Sequence, residues 1–137
     1  MKKQLKNWPK CLMPIRERPL LEYWLYILQE NGIKKILVNL HHHASHVKEF
    51  LERPRFKGVI NYTYERKLLG TAGTLKANKI FFQDCTTLLV HADNWCQCDF
   101  SDFLDFHTHR RPENCPITMM TFDSDMPQEC GIVETDN

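Results

Sequence analysis

The sequence has almost no net charge and no long hydrophobic run. Its 137 residues include 18 Lys and Arg against 17 Asp and Glu, which gives a formal net charge of +1. Such a chain offers no broad basic face to a nucleic-acid backbone, so we expect no nucleic-acid polymer as a partner. The most apolar segment, residues 19–28, contains Glu22 and is shorter than the roughly 20 residues that a membrane-spanning helix needs. Because the N-terminus also lacks a secretory signal pattern, we expect a cytoplasmic protein that does not enter a membrane.

Chain length and cysteine usage both fit one intracellular domain. A chain of 137 residues can bury one packed core and is short for two domains of usual size, so a single domain over residues 1–137 is predicted. The cysteines are scattered among segments that look core-forming, which indicates reduced thiols and not a disulfide framework. They are Cys11, Cys85, Cys96, Cys98, Cys115 and Cys130.

Helical and strand-like patterns alternate along the chain. Apolar residues recur at helical spacing between Pro19 and Gly32, and again before Arg53, where Pro54 must end the helix. A further helix is predicted to be capped by Ser101. Near-continuous apolar runs predict strands at residues 33–40, 58–65, 86–92, 117–122 and 131–134. The alternation predicts an α/β domain with a mainly parallel sheet covered on both faces.

A glycine-rich segment and an aspartate follow two of these strands. The segment LLGTAGTLKANK, residues 68–79, places Gly70 and Gly73 before a short helix. Glycine lets the backbone approach a ligand closely, and a helix start offers unpaired amides. Asp93 ends the next predicted strand, where a carboxylate suits Mg²⁺ on phosphate oxygens. Together they predict a nucleotide site, with a simple turn and a helix cap as the alternatives.

Several segments of the chain stand in a recognisable order. They are NWPKCLMPI, RPLLEYWL, NGIKKILVNLHH, YERKLLGTAGTL, LLVHADN and CGIVE. In order and spacing they resemble the sugar-1-phosphate nucleotidyltransferase family, and especially its mannose-1-phosphate guanylyltransferases. The resemblance implies a Rossmann-like three-layer α/β domain that uses Mg²⁺. It also implies two substrates, a nucleoside triphosphate and a sugar 1-phosphate, and is compatible with a homo-oligomer.

The implied reaction needs positioning and charge neutralisation more than covalent help from the protein. A sugar 1-phosphate oxygen attacks the α-phosphate of the triphosphate, and pyrophosphate leaves. Lys10, which matches the lysine of the family's P-K pair, would neutralise phosphate charge, and Asp93 would ligate Mg²⁺. The resemblance therefore makes Lys10 and Asp93 the catalytic candidates, although a lysine after a proline is often only a surface residue.

The remaining candidates concern the base and the sugar. By resemblance, Glu65, Gly70 and Thr71 join Lys10 in nucleotide binding, and Gly131 and Asn94 lie near the sugar. A carboxylate at residue 65 offers only acceptors, and guanine presents two adjacent donors, which favours GTP. The alternatives are that Glu65 is a solvated charge at a strand end and that backbone groups read the base.

The chain departs from the family pattern at both ends. Residues 1–7, MKKQLKN, stand where the family has the glycine loop G-x-G-T-R-x-x-P-x-T, and the sequence stops after GIVETDN, before the family's second metal carboxylate. We therefore expect a partial catalytic domain, inactive and marginally folded on its own. The rival hypothesis is a non-catalytic module that binds a nucleotide or a protein partner.

The histidines suggest a zinc site that the spacing does not favour. His41, His42, His43 and His46 form a dense tract, and two further pairs, Cys96 with Cys98 and His107 with His109, complete the possible ligands. The C-x-C spacing lacks the two-residue gap of a zinc knuckle, and consecutive histidines diverge in direction. We expect no structural zinc. We also expect His91, which precedes Asp93, to be a packed strand residue and not a base, since the attacking phosphate is already ionised.

Overall fold

The computed structural model describes residues 8–134 as a mixed α/β chain that divides into two compact units between Gln97 and Cys98. Residues 1–7, where the sequence departs from the family's glycine loop, lie outside the described part. The single domain predicted over residues 1–137 stays a prediction. None of the helices between residues 8 and 134 has the length and apolar character that a bilayer crossing needs.

Helix α1, Leu20–Glu30, forms where the apolar spacing predicts it. Pro19 precedes it in an extended conformation, because proline fixes φ and tolerates the absence of an amide donor at a helix start. Gly32, with φ of 77°, follows the helix in the left-handed region that favours glycine. Trp24 and Leu25 are 4% and 1% exposed, so one face of α1 is fixed against the core.

A β-α-β unit forms the centre of the first unit, as the sequence predicts. Strand β3, Ile36–Leu40, pairs in parallel with β4, Ile60–Tyr64, in the register Ile36 to Ile60 and Leu40 to Tyr64. Helix α2, Ala44–Leu51, connects them and ends before Pro54. The buried residues are Leu12, Leu21, Leu25, Ile36, Leu40, Val47, Phe50, Leu51, Phe56 and Ile60. Full burial of one such side chain is worth roughly 1.5–3 kcal/mol.

A short hairpin precedes α1 and was not predicted. Strands β1, Pro14–Ile15, and β2, Arg18–Pro19, pair antiparallel around a turn in which Arg16 has φ of 59°. Two residues per strand are too few to produce a recognisable alternation in the sequence.

The predicted strand at residues 86–92 is wrong, because that segment has no regular secondary structure. Within residues 8–134, β3 and β4 form a two-stranded sheet that no third strand joins. An apolar run describes how well side chains fit a pleated surface, whereas a strand also needs a hydrogen-bonding partner. The helices before this segment are α3, Gly70–Ala77, and α4, Lys79–Phe82.

In the second unit the helix is confirmed, but its cap and the two predicted strands are wrong. Helix α5, Phe100–Asp105, continues as a π-helical turn, Phe106–Arg110. Its cap is Asp99, whose carboxylate accepts from the Asp102 amide at 3.0 Å, and Ser101 lies inside the helix. Residues 117–122 and 131–134 have no strand pairing, and a 3₁₀ turn, Pro127–Glu129, lies between them.

Candidate functional site

Lys10 and Asp93, which are distant in sequence, lie side by side. Lys10 Nζ is 3.9 Å from Asp93 Oδ2, and the two side chains are 79% and 44% exposed. An exposed ion pair of this kind contributes little to stability. Both charges therefore remain accessible to a ligand, with a cation and an anion presented at one place.

Lys10 is carried by a backbone that is anchored in the core. It begins a 3₁₀ turn, Lys10–Leu12, and Leu12 is buried. The indole N–H of Trp8 donates to the Leu12 carbonyl at 3.1 Å, and the Leu12 amide donates to the Pro9 carbonyl at 2.9 Å. These two hydrogen bonds fix the turn and with it the backbone of Lys10. The Lys10 ammonium group itself is largely exposed.

Asp93 lies in a turn that is fastened to α1. Ala92 packs against the core, and the Asn94 amide donates to the His91 carbonyl at 3.1 Å. The indole N–H of Trp24 donates to the Asn94 carbonyl at 2.8 Å. Asn94 thus contributes its backbone to holding Asp93, while the Asn94 side chain is exposed and stays a predicted sugar contact.

The Cys11 thiol lies close to this pair. Burial raises the pKa of Cys11, a backbone hydrogen bond lowers it by a smaller amount, and the negative charge of Asp93 adds the smallest contribution, a further rise. The thiol is therefore protonated at neutral pH and is a poor nucleophile. Cys11 supplies packing beside Lys10 and no charge.

Glu65 is buried at the end of β4, with 6% of its surface exposed, and each carboxylate oxygen accepts a hydrogen bond. The hydroxyl of Thr74 donates to Oε1 at 2.5 Å, and the Leu69 amide donates to Oε2 at 3.1 Å. Asn39 Nδ2 donates to the Thr74 hydroxyl oxygen at 3.3 Å. His41 Nδ1 lies 2.8 Å from the Glu65 carbonyl oxygen, a contact that places the imidazole proton on Nδ1.

These contacts keep the Glu65 carboxylate ionised. Its pKa is lowered, first by the Thr74 hydrogen bond, while burial opposes that shift. The Leu69 amide, the Asn39 amide and the field of His41 lower the pKa further. Donors that favour the charged form therefore outweigh the desolvation of the carboxylate.

Gly70 and Gly73, the two glycines after Glu65, are each required for a different structural reason. Gly70 has φ of 73°, a conformation that L-residues rarely adopt. A Cβ added at Gly73 would lie 2.8 Å from Leu69 Cβ, so Gly73 lets the preceding loop fold closely over the first turn of α3. Thr71 is exposed at this helix start, as a nucleotide contact requires.

The described residues thus bring the candidates into two groups, the Lys10–Asp93 pair and the Glu65–Gly70 segment. Gly131 lies in the second compact unit, exposed and outside regular secondary structure, and its role near the sugar stays a prediction. The sequence did not single out Thr74 or Asn39. Thr74 lies one helical turn after Gly70, a spacing that puts both on one face of α3 but does not indicate the contact with Glu65.

A metal at this place would rely on few protein ligands. Within residues 8–134, no three His, Cys, Asp or Glu side chains lie so as to hold a metal ion together. Mg²⁺ is commonly bound by one or two carboxylates, with water and substrate phosphates filling the remaining positions. The partly exposed carboxylate of Asp93 fits such a site, and its oxygen donors match the preference of this ion.

Comparison with known proteins places these observations in a family. The family model for nucleotidyl transferases matches residues 6–137. The chain is 30% identical over 145 residues to a UTP–glucose-1-phosphate uridylyltransferase of Synechocystis, with 94% of this chain and 36% of the relative covered. It is 26% identical over 132 residues to a mannose-1-phosphate guanyltransferase of Saccharomyces cerevisiae, with 93% and 36% covered. It thus spans about a third of the length of these curated relatives.

A relative whose name is not that of a transferase also matches. The chain is 25% identical over 122 residues to translation initiation factor eIF2B subunit epsilon of Schizosaccharomyces pombe, with 82% of this chain and 18% of the relative covered.

Proposed function

This chain belongs to the nucleotidyl transferase family, and we propose that it is part of an enzyme that transfers a nucleotidyl group from a nucleoside triphosphate to a sugar 1-phosphate. The products are a nucleoside diphosphate sugar and pyrophosphate. The observation that carries the proposal is the contact between Lys10 and Asp93, because this reaction needs a phosphate-neutralising cation beside a metal-binding carboxylate. A Rossmann-like three-layer domain and a cytoplasmic location complete the proposal.

In this proposal Lys10 and Asp93 act by charge and position. An oxygen of the sugar 1-phosphate bonds to the α-phosphorus, and the bond to pyrophosphate breaks. Lys10 Nζ, which is largely exposed, reaches the phosphate oxygens. Asp93 holds Mg²⁺, which when bound neutralises charge on the α-phosphate and the leaving group. The anchored backbone beneath both residues keeps them oriented before substrate arrives.

The base is proposed to lie against the Glu65–Gly70 segment, with GTP as the favoured triphosphate. Each oxygen of Glu65 accepts one internal hydrogen bond, and a carboxylate oxygen has a second lone pair. These lone pairs are the acceptors proposed for the two adjacent donors of guanine, which must reach a carboxylate that is 6% exposed in the free chain. Relatives named for guanylyl and for uridylyl transfer both match, so the preference for GTP rests on this acceptor chemistry.

A second candidate function is a non-catalytic nucleotide-binding or interaction module. The match to a translation initiation factor subunit supports it, because a segment like this one also occurs in a protein whose name is not that of a transferase. The two candidates share the same fold and differ in whether the Lys10–Asp93 pair acts on a bound triphosphate.

Nucleotide binding to the purified chain tests the site. We expect Asp93→Asn to raise the Kd for Mg·GTP about tenfold, equal to about 1.4 kcal/mol, because Mg²⁺ loses its charged ligand. The melting temperature should hardly change, since Asn nearly preserves the shape of Asp. Asp84→Asn is the matched control, an exposed aspartate outside the two groups. Equal Mg·GTP affinity in the parent and Asp93→Asn would remove Asp93 from the site.

Catalysis is tested separately from binding. Residues 1–7 can be replaced by a segment that carries G-x-G-T-R-x-x-P-x-T, and a C-terminal segment with the family's second metal carboxylate can be added after residue 137. Pyrophosphate release is then measured with GTP and mannose 1-phosphate. Mg²⁺-dependent release above background supports the transferase. Intact nucleotide binding without release supports the non-catalytic module.

A further inference from the structure

Helix α3 is not held in place by hydrophobic packing. It runs from Gly70 to Ala77, and none of these eight residues is buried. A helix of this length is marginal in water, and its two glycines weaken it further. Burial in α3 is limited to the half-buried residues 73–75, so specific polar contacts are the interactions that fix the start of the helix.

That contact is the buried carboxylate of Glu65. It holds α3 through the Thr74 hydroxyl and holds the preceding loop through the Leu69 amide. Leu69 in turn lies against Gly73. One carboxylate at the end of β4 thus sets the position of both sides of the Gly70 turn.

Thr74 is the central member of this network. Its hydroxyl has one proton and lies within hydrogen-bond distance of Glu65 Oε1 at 2.5 Å and the Gly70 carbonyl at 3.1 Å. The shorter contact, to an ionised acceptor, is the stronger one. This contact directs the proton of Thr74 towards Glu65, and Asn39 on β3 donates to the same hydroxyl oxygen. This hydrogen-bond network therefore connects strand β3 to α3.

The free energy needed to bury the Glu65 carboxylate indicates that this arrangement has a role besides stability. Burying a carboxylate is expensive, and a well-packed apolar group of similar size is often at least as stabilising. Here the charge fixes an exposed, glycine-containing helix start. Accurate placement of such a backbone matters where its amides must meet a ligand.

We propose that Thr74, supported by Asn39, is a positioning residue of the nucleotide site and acts through Glu65 and Leu69 to hold the Gly70 turn in its binding conformation. This inference rests on the proposed function, because it takes the Gly70 turn to be the nucleotide contact. Thr74 itself touches no substrate in this account.

The test compares Thr74→Val, which removes the hydroxyl and keeps the shape, with Thr74→Ser, which restores the hydroxyl. Two quantities are measured on the purified chain, namely hydrogen exchange of the Leu69 amide by NMR and the Kd for Mg·GTP. In Thr74→Val we expect the Leu69 amide to exchange about tenfold faster and Mg·GTP to bind about tenfold more weakly, the loss typical of one hydrogen bond to a charged group. Thr74→Ser should resemble the parent in both.

Two controls separate positioning from a general loss of stability. Amides of residues 36–38, which lie on β3 before Asn39, should exchange as in the parent, because α3 contributes no buried side chain to the core. Thr87→Val, at an exposed threonine, should change neither the Leu69 amide nor the Kd.

Each outcome decides the proposal. Unchanged Leu69 exchange in Thr74→Val overturns it, and so does a Ser variant that behaves like Val, since the hydroxyl that Ser retains would then not hold the turn. Faster Leu69 exchange with unchanged Mg·GTP affinity overturns the connection to the nucleotide. If the parent binds no nucleoside triphosphate, the proposed function fails, and with it the claim that the turn serves a nucleotide.

Discussion

Two neighbouring parts of the first unit, the β3–α2–β4 core and helix α3, are stabilised in opposite ways. The core buries apolar side chains such as Leu40, Phe50 and Ile60, which are 3%, 2% and 6% exposed. Helix α3 buries none of its residues from Gly70 to Ala77 and is held by hydrogen bonds to Glu65. Burial of apolar surface is non-directional and stabilises the fold as a whole. A hydrogen bond instead fixes the position of the two groups that it joins. The comparison teaches that stability and the geometry of the candidate site should respond to different substitutions.

The largest expected effect is on the core side of this comparison. Leu25 on α1 is 1% exposed, and truncating a buried leucine to alanine typically costs about 2–5 kcal/mol. We expect Leu25→Ala to lower the free energy of unfolding, measured in urea, by an amount in that range. Leu68→Ala, at a residue that is 61% exposed, is the control and should change it by less than about 0.5 kcal/mol. Similar losses in both variants would contradict the account of the core.

A smaller effect is expected at Gly73, on the α3 side. Alanine normally stabilises a helix relative to glycine by roughly 0.5–1 kcal/mol. Here the new Cβ would lie 2.8 Å from Leu69 Cβ, and such overpacking costs about 1–3 kcal/mol. We expect Gly73→Ala to speed exchange of the Leu69 amide and to leave the urea midpoint of the core nearly unchanged. A slower Leu69 exchange would show that ordinary helix propensity dominates.

The smallest effect is a pH dependence that belongs to Glu65 alone. Because its pKa is lower in the folded chain, the stabilisation it provides is complete above the ordinary pKa of glutamate. That stabilisation is lost as the pH falls from this value through the folded pKa. Urea unfolding should therefore show a larger acid-induced loss in the parent than in Glu65→Gln, with no such difference arising between pH 6 and 8. If the free energy of unfolding falls equally at acid pH in the two proteins, the network around Glu65 is contradicted.

The sequence predicted the parts of the fold that burial determines. The spacing of Leu21, Trp24 and Leu25 marks the buried face of α1, and the apolar runs mark β3 and β4. These patterns indicate which side chains are buried, and they can be recognised in the sequence without knowledge of the tertiary structure. The same reasoning failed at residues 86–92, because an apolar run does not reveal whether a neighbouring strand is available to pair with it.

The candidate site was predicted in its residue types and not in its contacts. Resemblance points to Lys10, and the position after a predicted strand points to Asp93, but only the fold brings Lys10 Nζ to 3.9 Å from Asp93 Oδ2. Thr74 was missed because its hydrogen bond to Glu65 joins a helix to a strand end. Such a contact depends on tertiary structure and leaves no periodic signal. At α5 the sequence predicts Ser101 as the cap, whereas Asp99 has the extended conformation before the helix and accepts from the Asp102 amide.

Chemical-shift mapping by NMR during a titration with Mg·GTP tests the central claim most directly. The account predicts saturable shifts of the backbone amides of Lys10, Gly70, Thr71 and Asp93, which belong to the two groups of candidate residues, with little change in strand β3. A titration that leaves these amides unmoved, or that shifts only residues of the second unit, would contradict it.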